Sequence, residues 1–321
     1  MALAPLVPKG SPVAIVGFPN HPNVGDAAIW AGETAWLRRH GHTVSYACDL
    51  HGYSKASLAS AIGTEGTILF HGGGNFGDVW PDHQLLRERV VGDFPTHRIV
   101  SLAQTMQFVD DFALERARKR FNGHPNITFL LRDRRSLQSS TEAFTGPSRL
   151  CPDLAFALGP FDRIRPPDVT RLWLSRTDSE RRASRLTPPP DGNDLLADWL
   201  SDDHVTGRPR ARALKRRAEA KGRAIIREPA STLPGLQARI CDALASGRVH
   251  YGRRLLSRGE VVITDRLHAH ILCVLSGIPH VIVETGYGKI REFHSTWTGE
   301  LTFVRVAEDS VSALRSARQL V

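Results

Sequence analysis

The sequence predicts an α/β protein built from two doubly wound, Rossmann-like domains. Short apolar segments alternate with segments of helical periodicity in both halves of the 321-residue chain, and this alternation is typical of βαβ units with a parallel sheet. A proline-containing segment at 159–167 interrupts the alternation near the middle, as expected for a link between domains. Glycine-rich or polar segments directly follow several apolar segments, which is where such sheets bind ligands.

The first domain is predicted to span residues 1–160. Its apolar segments predict strands at 13–16, 43–47, 67–70, 98–102 and 127–131. The intervening periodicity predicts helices at 27–39, 84–91 and 112–121. Arg134 and Arg135 are expected to start a further helix and to face solvent.

The second domain is predicted to span residues 161–321. Strands are expected at 171–174, 224–226, 261–264 and 280–283, and helices at 236–246, 267–275 and 310–321. A polar, arginine-rich insertion with a mobile tip is expected at about 187–222. Two such domains facing a cleft give a GT-B-like architecture, in which the ligand lies between the carboxyl ends of the strands.

Charge and composition limit the possible functions. The chain has 42 Lys and Arg residues against 33 Asp and Glu residues, a formal charge of +9, which indicates an anionic partner. Much of the excess lies at 208–223, where a solvated surface is the simpler interpretation. No aromatic signature of nucleic-acid binding accompanies it, so no specific nucleic acid is expected.

The compartment is predicted from what the sequence lacks. No apolar segment approaches the roughly 20 residues that a membrane-spanning helix needs, and residues 1–12 do not resemble a secretory signal. The four cysteines are widely spaced and are expected to be buried, reduced thiols. A cytoplasmic protein is expected, with a peripheral position at the inner face of the membrane left open.

The first polar motif, at 20–29, directly follows the first strand. Gly25 and Asp26 lead into a helix, where free backbone N–H groups can bind an anion. Helix capping alone would explain Asp26, but Asn23 and its polar neighbours exceed what a cap needs. We therefore predict that Asn23, Gly25 and Asp26 contact substrate.

The second motif, at 70–78, is a predicted glycine loop. Its three successive glycines allow a ligand or another backbone to come close, and it lacks the Lys-Ser/Thr of a P-loop. His71 either bonds the loop or reaches the substrate. The predicted substrate-binding residues here are His71, Gly72, Gly73, Gly74, Asn75 and Asp78.

Two arginines follow predicted strands in corresponding places. Arg132 after the fifth strand can pair with a carboxylate or phosphate, and Arg176 follows the first strand of the second domain. Arg132 is predicted to take part in catalysis and Arg176 to bind substrate.

The most specific motif spans 264–270 and continues into 284–290. Arg266 and His268 open a predicted helix, so both side chains meet an anion near a positive helix end. His268 can transfer protons near neutral pH, whereas His270 faces another side of the helix and is expected to be structural. Further substrate contacts are predicted at Leu267, Glu284, Tyr287 and Lys289.

Together these segments resemble the polysaccharide pyruvyl transferase family. The resemblance covers about residues 20–297 apart from the insertion, through the motifs at 23–26 (NVGD), 71–75 (HGGGN), 101–104 (SLAQ), 132–133 (RD), 151–155 (CPDLA), 265–268 (DRLH) and 287–289 (YGK). It implies phosphoenolpyruvate as donor, a sugar acceptor from an exopolysaccharide or cell-surface glycan, and no cofactor or metal. It also implies that Arg132, Arg266, His268 and Lys289 hold the donor's phosphate and carboxylate and assist the chemistry, with His268, Arg266 and Arg132 as the catalytic residues. One departure is the Glu284-Thr-Gly segment, which puts the acceptor's identity in question.

The implied reaction forms a pyruvate ketal with release of phosphate. His268 is the predicted acid that protonates the donor's methylene carbon, and Asp26 or Glu284 is a candidate base. One alternative is a nucleotide-sugar glycosyltransferase of the same architecture, in which an acidic residue such as Glu284 binds the ribose of the nucleotide. The other is a non-catalytic protein that binds RNA or an anionic polymer. The acceptor sugar, its attachment to a lipid and the oligomeric state are left open.

Overall fold

The computed structural model describes residues 2–176, 186, 193–200, 209–227, 235–284 and 288–320. The chain divides into two compact units. The first comprises 1–21, 29–157 and 208–245, and the second comprises 22–28, 158–207 and 246–321. The units differ from the two consecutive segments expected from the sequence, because 22–28 and 208–245 each pack with the other half of the chain.

The first unit contains a parallel sheet of seven strands among the described residues. They are β1 (Val13–Val16), β2 (Val44–Cys48), β3 (Thr67–Phe70), β4 (Gly73–Gly77), β5 (Arg98–Gln107), β6 (Ile127–Leu131) and β7 (Ser148–Leu150). Their order is β2-β1-β3-β5-β6-β7, with β4 paired to β5. The strands β1 and β3 are buried along their whole length, as expected for a parallel sheet covered on both faces.

Helices cover this sheet. They are α1 (Val24–Arg39), of which the first turn groups with the second unit, α2 (Lys55–Ile62), α3 (Pro81–Asp93), α4 (Asp111–Asn122) and α5 (Arg134–Ala143). The helix α5 begins at Arg134 and leaves Arg134 and Arg135 exposed, as predicted. Four phenylalanines, Phe76, Phe121, Phe129 and Phe144, pack in the core with ring centroids 4.9–6.1 Å apart.

The segment 209–245 also belongs to the first unit. It contains α6 (Pro209–Arg227) and the first half of α7 (Leu236–Leu256). The side chain of Asn20 donates to the backbone oxygen of Arg223 at 3.2 Å, and Trp30 Nε1 donates to Asp242 at 2.8 Å. The prediction of a strand at 224–226 is therefore wrong. These residues lie in the last turn of α6, where Ile226 is buried and Ile225 is exposed. Only one side of the apolar triplet faces the core, as on a helix at a protein surface.

The second unit contains a parallel sheet of five strands among its described residues. They are β8 (Val169–Leu174), β9 (Asp194–Ala197), β10 (Gly259–Thr264), β11 (His280–Val283) and β12 (Val304–Ala307), in the order β12-β11-β10-β8-β9. Its helices α8 (Leu267–Leu275) and α10 (Ser310–Ala317) pack on the sheet. A further helix, α9, spans Lys289–Trp297. Of the predicted insertion, residues 193–200, which include β9, and residues 209–222 of α6 are described, and 187–192 and 201–208 lie outside the described residues.

Both sheets confirm the predicted doubly wound fold and share one topological feature. In each, the first strand lies between the second and the third: β1 between β2 and β3, and β8 between β9 and β10. Successive crossovers therefore leave toward opposite edges at this point, and open α/β sheets bind ligands at the carboxyl ends of the strands there. At this point of the first unit His71 directly follows β3, and at the same point of the second unit Asp265 directly follows β10.

A buried histidine cluster anchors α8 to the rest of the second unit. His280 Nδ1 lies 2.7 Å from the backbone oxygen of Ile278, so this nitrogen donates and Nε2 accepts from His270 Nδ1 at 2.7 Å. His270 Nε2 then accepts from the hydroxyl of Thr298 at 2.9 Å, and His294 Nδ1 donates to that oxygen at 2.8 Å. The chain of hydrogen bonds is complete with every imidazole neutral. His270 is thus structural, as predicted.

This cluster makes stability depend on pH. Burial lowers the pKa of His280 from 6.5 to about 4 and also lowers the pKa values of His270 and His294. Because the folded-state pKa values lie below the unfolded value, the stability that these neutral imidazoles contribute is present above pH 6.5 and is lost as the pH falls toward about 4.

Replacement of His280 tests this pH dependence. We expect His280→Asn to reduce the slope of the free energy of unfolding against pH, between these two pH values, by up to about 1.4 kcal/mol per pH unit. Urea titrations of both proteins across this range measure it, and equal slopes would contradict it.

Candidate active site

The buried pair of Glu33 and His71 lies at the carboxyl end of β3 in the first unit. Oε2 of Glu33 is 2.8 Å from His71 Nδ1, and Oε1 accepts the backbone N–H of Gly72 at 2.8 Å. The side chains of Glu33 and His71 are 0% and 3% exposed. Gln104 Nε2 holds the backbone oxygen of His71 at 2.7 Å. His71 is therefore fixed at the point where the sheet topology favours a ligand.

A small pocket of about 10 Å³, which is room for about one water molecule, adjoins His71 in the same unit. Its lining combines apolar and polar side chains: Val16, Gly17, Phe70, His71, Asn75, His83, Leu86 and Arg87. Arg87 is 5% exposed. Arg87 Nη1 donates to the backbone oxygen of Asn75 at 2.9 Å. Arg87 Nη2 donates to the side-chain oxygen of Asn75 and, at 3.2 Å, to Gln104 Oε1.

Arg87 brings a positive charge to this pocket. Its hydrogen-bond acceptors Asn75 and Gln104 are neutral, and within the described part of the chain no carboxylate pairs with its guanidinium. Burial lowers the pKa of Arg87 to about 9, so it remains protonated at neutral pH. A buried cation that is not neutralised by the protein favours a ligand with anionic or strongly polar oxygens.

The glycine segment is a strand with protein atoms against it. The segment expected to be a loop forms β4, which pairs with β5. Gly73 and Gly77 in this strand adopt φ values of +118° and +126°, which residues other than glycine avoid. A Cβ on Gly72 would lie 2.8 Å from the backbone oxygen of Ala103, and one on Gly74 would lie 3.4 Å from Arg132 Nη2. Close approach of the Ala103 backbone thus accounts for glycine at position 72, whereas the contact at position 74 is an ordinary one. Substrate contact at these glycines stays a prediction.

Asp78 has a structural partner. Its carboxylate accepts the backbone N–H groups of Val109, at 2.9 Å, and of Asp110. These bonds attach the end of β4 to the segment after β5. Contact between Asp78 and substrate stays a prediction.

Arg132 is buried and paired with a carboxylate. Its Nη1 lies 2.7 Å from Asp153 Oδ2, with side-chain exposures of 4% and 0%, and its Nε donates to Thr105 Oγ1 at 2.9 Å. Asp133 caps α5 through the N–H of Ser136. The strand end therefore presents a guanidinium whose orientation is fixed by two partners.

The second unit repeats this arrangement at the end of β10. Arg266 Nη2 lies 2.7 Å from Asp198 Oδ2, and both side chains are nearly inaccessible. The guanidinium carbon lies 5.4 Å from the ring centroid of Trp199, as in a cation–π contact. Thr264 Oγ1 accepts the N–H of Arg266 at 3.1 Å and donates to the backbone oxygen of Leu174 at 2.8 Å, so neighbouring strand ends are joined here.

Asp265 connects the two strands on either side of the topological switch. Its Oδ1 accepts the backbone N–H of Arg176 at 2.9 Å. Burial raises the pKa of the Asp265 carboxyl to about 6. Arg176 itself is half-buried, and its predicted contact with substrate remains a prediction.

His268 lies against the segment 22–28, which belongs to the same unit. A Cβ on Gly25 would lie 2.8 Å from His268 Cγ and 2.9 Å from His268 Cβ, and closer still to Nδ1. Asn23 Oδ1 accepts the N–H of Gly25 at 2.9 Å and fixes this turn. The structure therefore brings together Asn23, Gly25 and His268, three of the predicted site residues, although 243 positions (268 − 25) separate the last two in sequence.

The other predicted residues have varied surroundings. Asp26 lies in the first turn of α1, and Leu267 is the half-buried first residue of α8. Glu284 Oε2 accepts the N–H groups of Ile290 and Arg291 at 3.2 Å, so this carboxylate caps α9. Lys289 is the first residue of that helix. Tyr287 lies outside the described residues.

Four residues of these clusters were not predicted from the sequence. They are Glu33, Arg87, Asp153 and Asp198, each the buried partner of a glycine-segment or strand-end residue. Asp153 carried a signal, since it lies in the motif at 151–155. Glu33, Arg87 and Asp198 carried none, because they are single polar residues inside helical or polar segments.

The described residues contain no group of three or more His, Cys, Asp and Glu side chains arranged to hold a metal ion. Among their helices, none is both long enough and apolar enough to cross a membrane.

Comparison with known proteins identifies the family. The family model described as polysaccharide pyruvyl transferase matches residues 23–287. The chain belongs to the polysaccharide pyruvyl transferase family. It is 36% identical over 312 residues to pyruvyl transferase 1 of Schizosaccharomyces pombe, covering 93% of this chain and 73% of that protein. It is also 29% identical to the putative pyruvyl transferase EpsO of Bacillus subtilis, covering 92% and 88%.

A solved structure supports the fold. A functionally uncharacterised protein from Klebsiella pneumoniae superposes with a TM-score of 0.59 at 17% identity, covering 92% of this chain and 93% of that one. At this identity the likeness shows the fold alone. The family gives the coarse function, which is transfer of pyruvyl groups to polysaccharide.

Replacement of Gly25 tests the position of His268. We expect Gly25→Ala to lower pyruvyl transfer by about 10²-fold, because its methyl group displaces the imidazole by roughly 1 Å. Gly247→Ala is the matched control, since Gly247 also lies in a helix of the second unit and a Cβ there meets nothing within 4 Å. The control should keep full activity and gain about 0.5–1 kcal/mol of stability. Turnover and thermal unfolding measure both effects, and equal activity of the two variants would contradict the assignment.

Proposed function

We propose that the protein transfers the pyruvyl group of phosphoenolpyruvate to two hydroxyls of a sugar, forming a cyclic ketal and releasing phosphate. The observation that carries the proposal is His268, which follows the buried Arg266 at the start of α8 and is held against Gly25. Membership of the polysaccharide pyruvyl transferase family supports the same chemistry. The acceptor class is an exopolysaccharide or another cell-surface glycan, or its precursor.

The reaction needs one proton delivered and two removed. Protonation of the donor's methylene carbon turns it into a methyl group and leaves a cationic centre at the adjacent carbon. One sugar hydroxyl adds at that carbon and the C–O bond to phosphate breaks. A second hydroxyl then closes the ketal. Two protons leave the sugar, of which one balances the proton taken up by the methyl group and the other leaves with the released phosphate.

His268 is the acid in this proposal. An imidazole exchanges protons near neutral pH, and a positioned acid contributes roughly 10²–10⁴-fold. Gly25 supports this role because the absence of a side chain lets the helix turn lie directly against the ring.

Arg266 binds and stabilises the departing phosphate. Asp198 and Trp199 fix the guanidinium, so that no reorganisation is needed as negative charge develops. The ion pair also reduces the net charge of this side chain, so a single arginine is a weak anion site. Lys289 and Arg132 are therefore proposed as further donor-binding cations.

The nucleotide-sugar alternative depends on Glu284. That alternative needs its carboxylate to bind a ribose, but one oxygen already accepts two backbone N–H groups of α9. This engagement favours phosphoenolpyruvate over a nucleotide-sugar as the donor.

Phosphate release tests the proposal. The protein should release phosphate from phosphoenolpyruvate when nitrophenyl or lipid-linked sugars are supplied, and phosphoenolpyruvate should raise the unfolding temperature by mass action. His268→Ala should lower turnover by roughly 10²–10⁴-fold while donor binding changes much less, because in the proposal Arg266, Arg132 and Lys289 together bind the donor's charge and the imidazole does not.

The control for this experiment is His250→Ala. His250 is an exposed histidine on α7 in the same unit, and its removal should leave turnover unchanged. Wild-type turnover in folded His268→Ala would show that His268 is not the acid. Stabilisation by UDP-sugars and not by phosphoenolpyruvate would replace the proposal with the glycosyltransferase alternative.

A further inference from the structure

The pair of Glu33 and His71 fixes the protonation pattern of a buried imidazole. Both carboxylate oxygens are occupied, one by His71 Nδ1 at 2.8 Å and the other by the N–H of Gly72 at 2.8 Å. A carboxylate accepts hydrogen bonds, so the proton of the neutral ring is held on Nδ1. The lone pair of the neutral ring is then on Nε2.

Among the described residues, the lone pair on the buried His71 Nε2 has no hydrogen-bond partner. Buried polar side-chain atoms usually have at least one partner, from the protein or from water. His71 is 3% exposed, and its Nε2 is therefore available to a water molecule or to a substrate hydroxyl.

The pocket beside the ring has room for one hydroxyl group. Its volume of about 10 Å³ is that of about one water molecule, and the hydrogen-bonding side chains of Asn75, His83 and Arg87 line it next to Val16 and Phe70. A sugar can therefore place a single hydroxyl there, and not its whole ring. The pocket lies at the topological switch of the first sheet, where ligands bind.

We infer that His71 is the general base for the acceptor hydroxyl and that Glu33 is the positioning residue that sets its tautomer. His71 Nε2 takes the hydroxyl proton as the sugar oxygen bonds to the pyruvyl carbon, and the proton then passes to the released phosphate or to solvent. The Glu33 carboxylate stabilises the imidazolium that forms, as a carboxylate does in other carboxylate–histidine pairs. The inference rests on the proposed function and assigns the base that the donor chemistry requires.

Glu33→Gln separates this role from a structural one. The backbone N–H of Gly72 can only donate, so the amide oxygen of the new glutamine must face it. The amide N–H₂ group then faces His71 Nδ1, which has to become an acceptor, and the ring proton moves to Nε2. The variant keeps the shape of the site but removes the basic lone pair from the pocket. We expect turnover to fall by roughly 10²–10⁴-fold, with little change in the KM for the acceptor.

The tautomer can be measured directly on the unliganded protein. In ¹⁵N-histidine NMR spectra, with the His71 signals assigned by their loss in His71→Asn, the wild-type ring should carry its proton on Nδ1 and the Glu33→Gln ring on Nε2. This result does not involve phosphoenolpyruvate. If no sugar supports phosphate release, the proposed function fails while the tautomer result stands. If phosphate release is normal in Glu33→Gln, the inference about Glu33 fails while the proposed function stands.

Two more variants keep the test decisive. His71→Asn retains an N–H group in the place of Nδ1, so the bond to Glu33 survives while the base is lost, and turnover should fall as in Glu33→Gln even if the latter folds poorly. Glu88→Gln is the matched control, because Glu88 is a buried glutamate of the same unit that bonds Gln84 and Arg116 and does not line the pocket. It should change stability and not turnover per folded molecule. Full turnover in folded His71→Asn, or an Nε2–H tautomer in the wild-type protein, would overturn the inference.

Discussion

Burial of charged side chains at the carboxyl ends of the strands is the constraint on which the candidate site depends. Arg132 pairs with Asp153 at 2.7 Å and Arg266 pairs with Asp198 at 2.7 Å, all with side-chain exposures of 4% or less. Removal of one member of such a pair leaves an uncompensated buried charge, which costs about 3–5 kcal/mol. Each arginine therefore requires its partner, and the partner comes from a distant segment of the chain. Asp198, for example, lies 68 positions before Arg266.

The same constraint prepares the groups for chemistry. A guanidinium held by a carboxylate, or an imidazole held by Glu33, cannot turn away when a substrate leaves. Preorganised dipoles and charges lower a reaction barrier because they need no rearrangement as charge develops. In the second unit, the close packing of Gly25 on His268 adds a steric component to this electrostatic one. The pairs thus stabilise each unit, and in the proposed reaction they also hold the reacting groups in place.

Much of this organisation was predictable from the sequence. Four strands have the bounds expected from continuous apolar segments: 13–16, 67–70, 127–131 and 280–283. A parallel strand buried on both faces is apolar along its whole length, so its ends coincide with the ends of the apolar segment. The polar motifs follow these strands, so the positions of His71, Arg132 and Arg266 relative to the sheets were also predictable. The helical periodicity of 267–275 correctly predicted α8.

The rest depends on long-range packing, which local patterns do not encode. Glu33 lies on a helix that was predicted from its apolar positions, and nothing near it indicates a histidine 38 positions away. The glycines at 72–74 predict a loop by composition, but pairing with β5 makes the segment from Gly73 a strand. The triplet at 224–226 is as apolar as a strand, and only its packing in the first unit shows that it ends a helix.

The central claim is that phosphoenolpyruvate donates its carbon skeleton and gains a proton at the methylene carbon. Reaction of the protein with phosphoenolpyruvate and an accepted sugar in D₂O tests it most directly, with the product analysed by NMR and mass spectrometry. The account predicts a new quaternary ketal carbon bonded to a methyl group that carries one deuterium atom. A product without a methyl group, or with a methyl group that contains no deuterium, would contradict it.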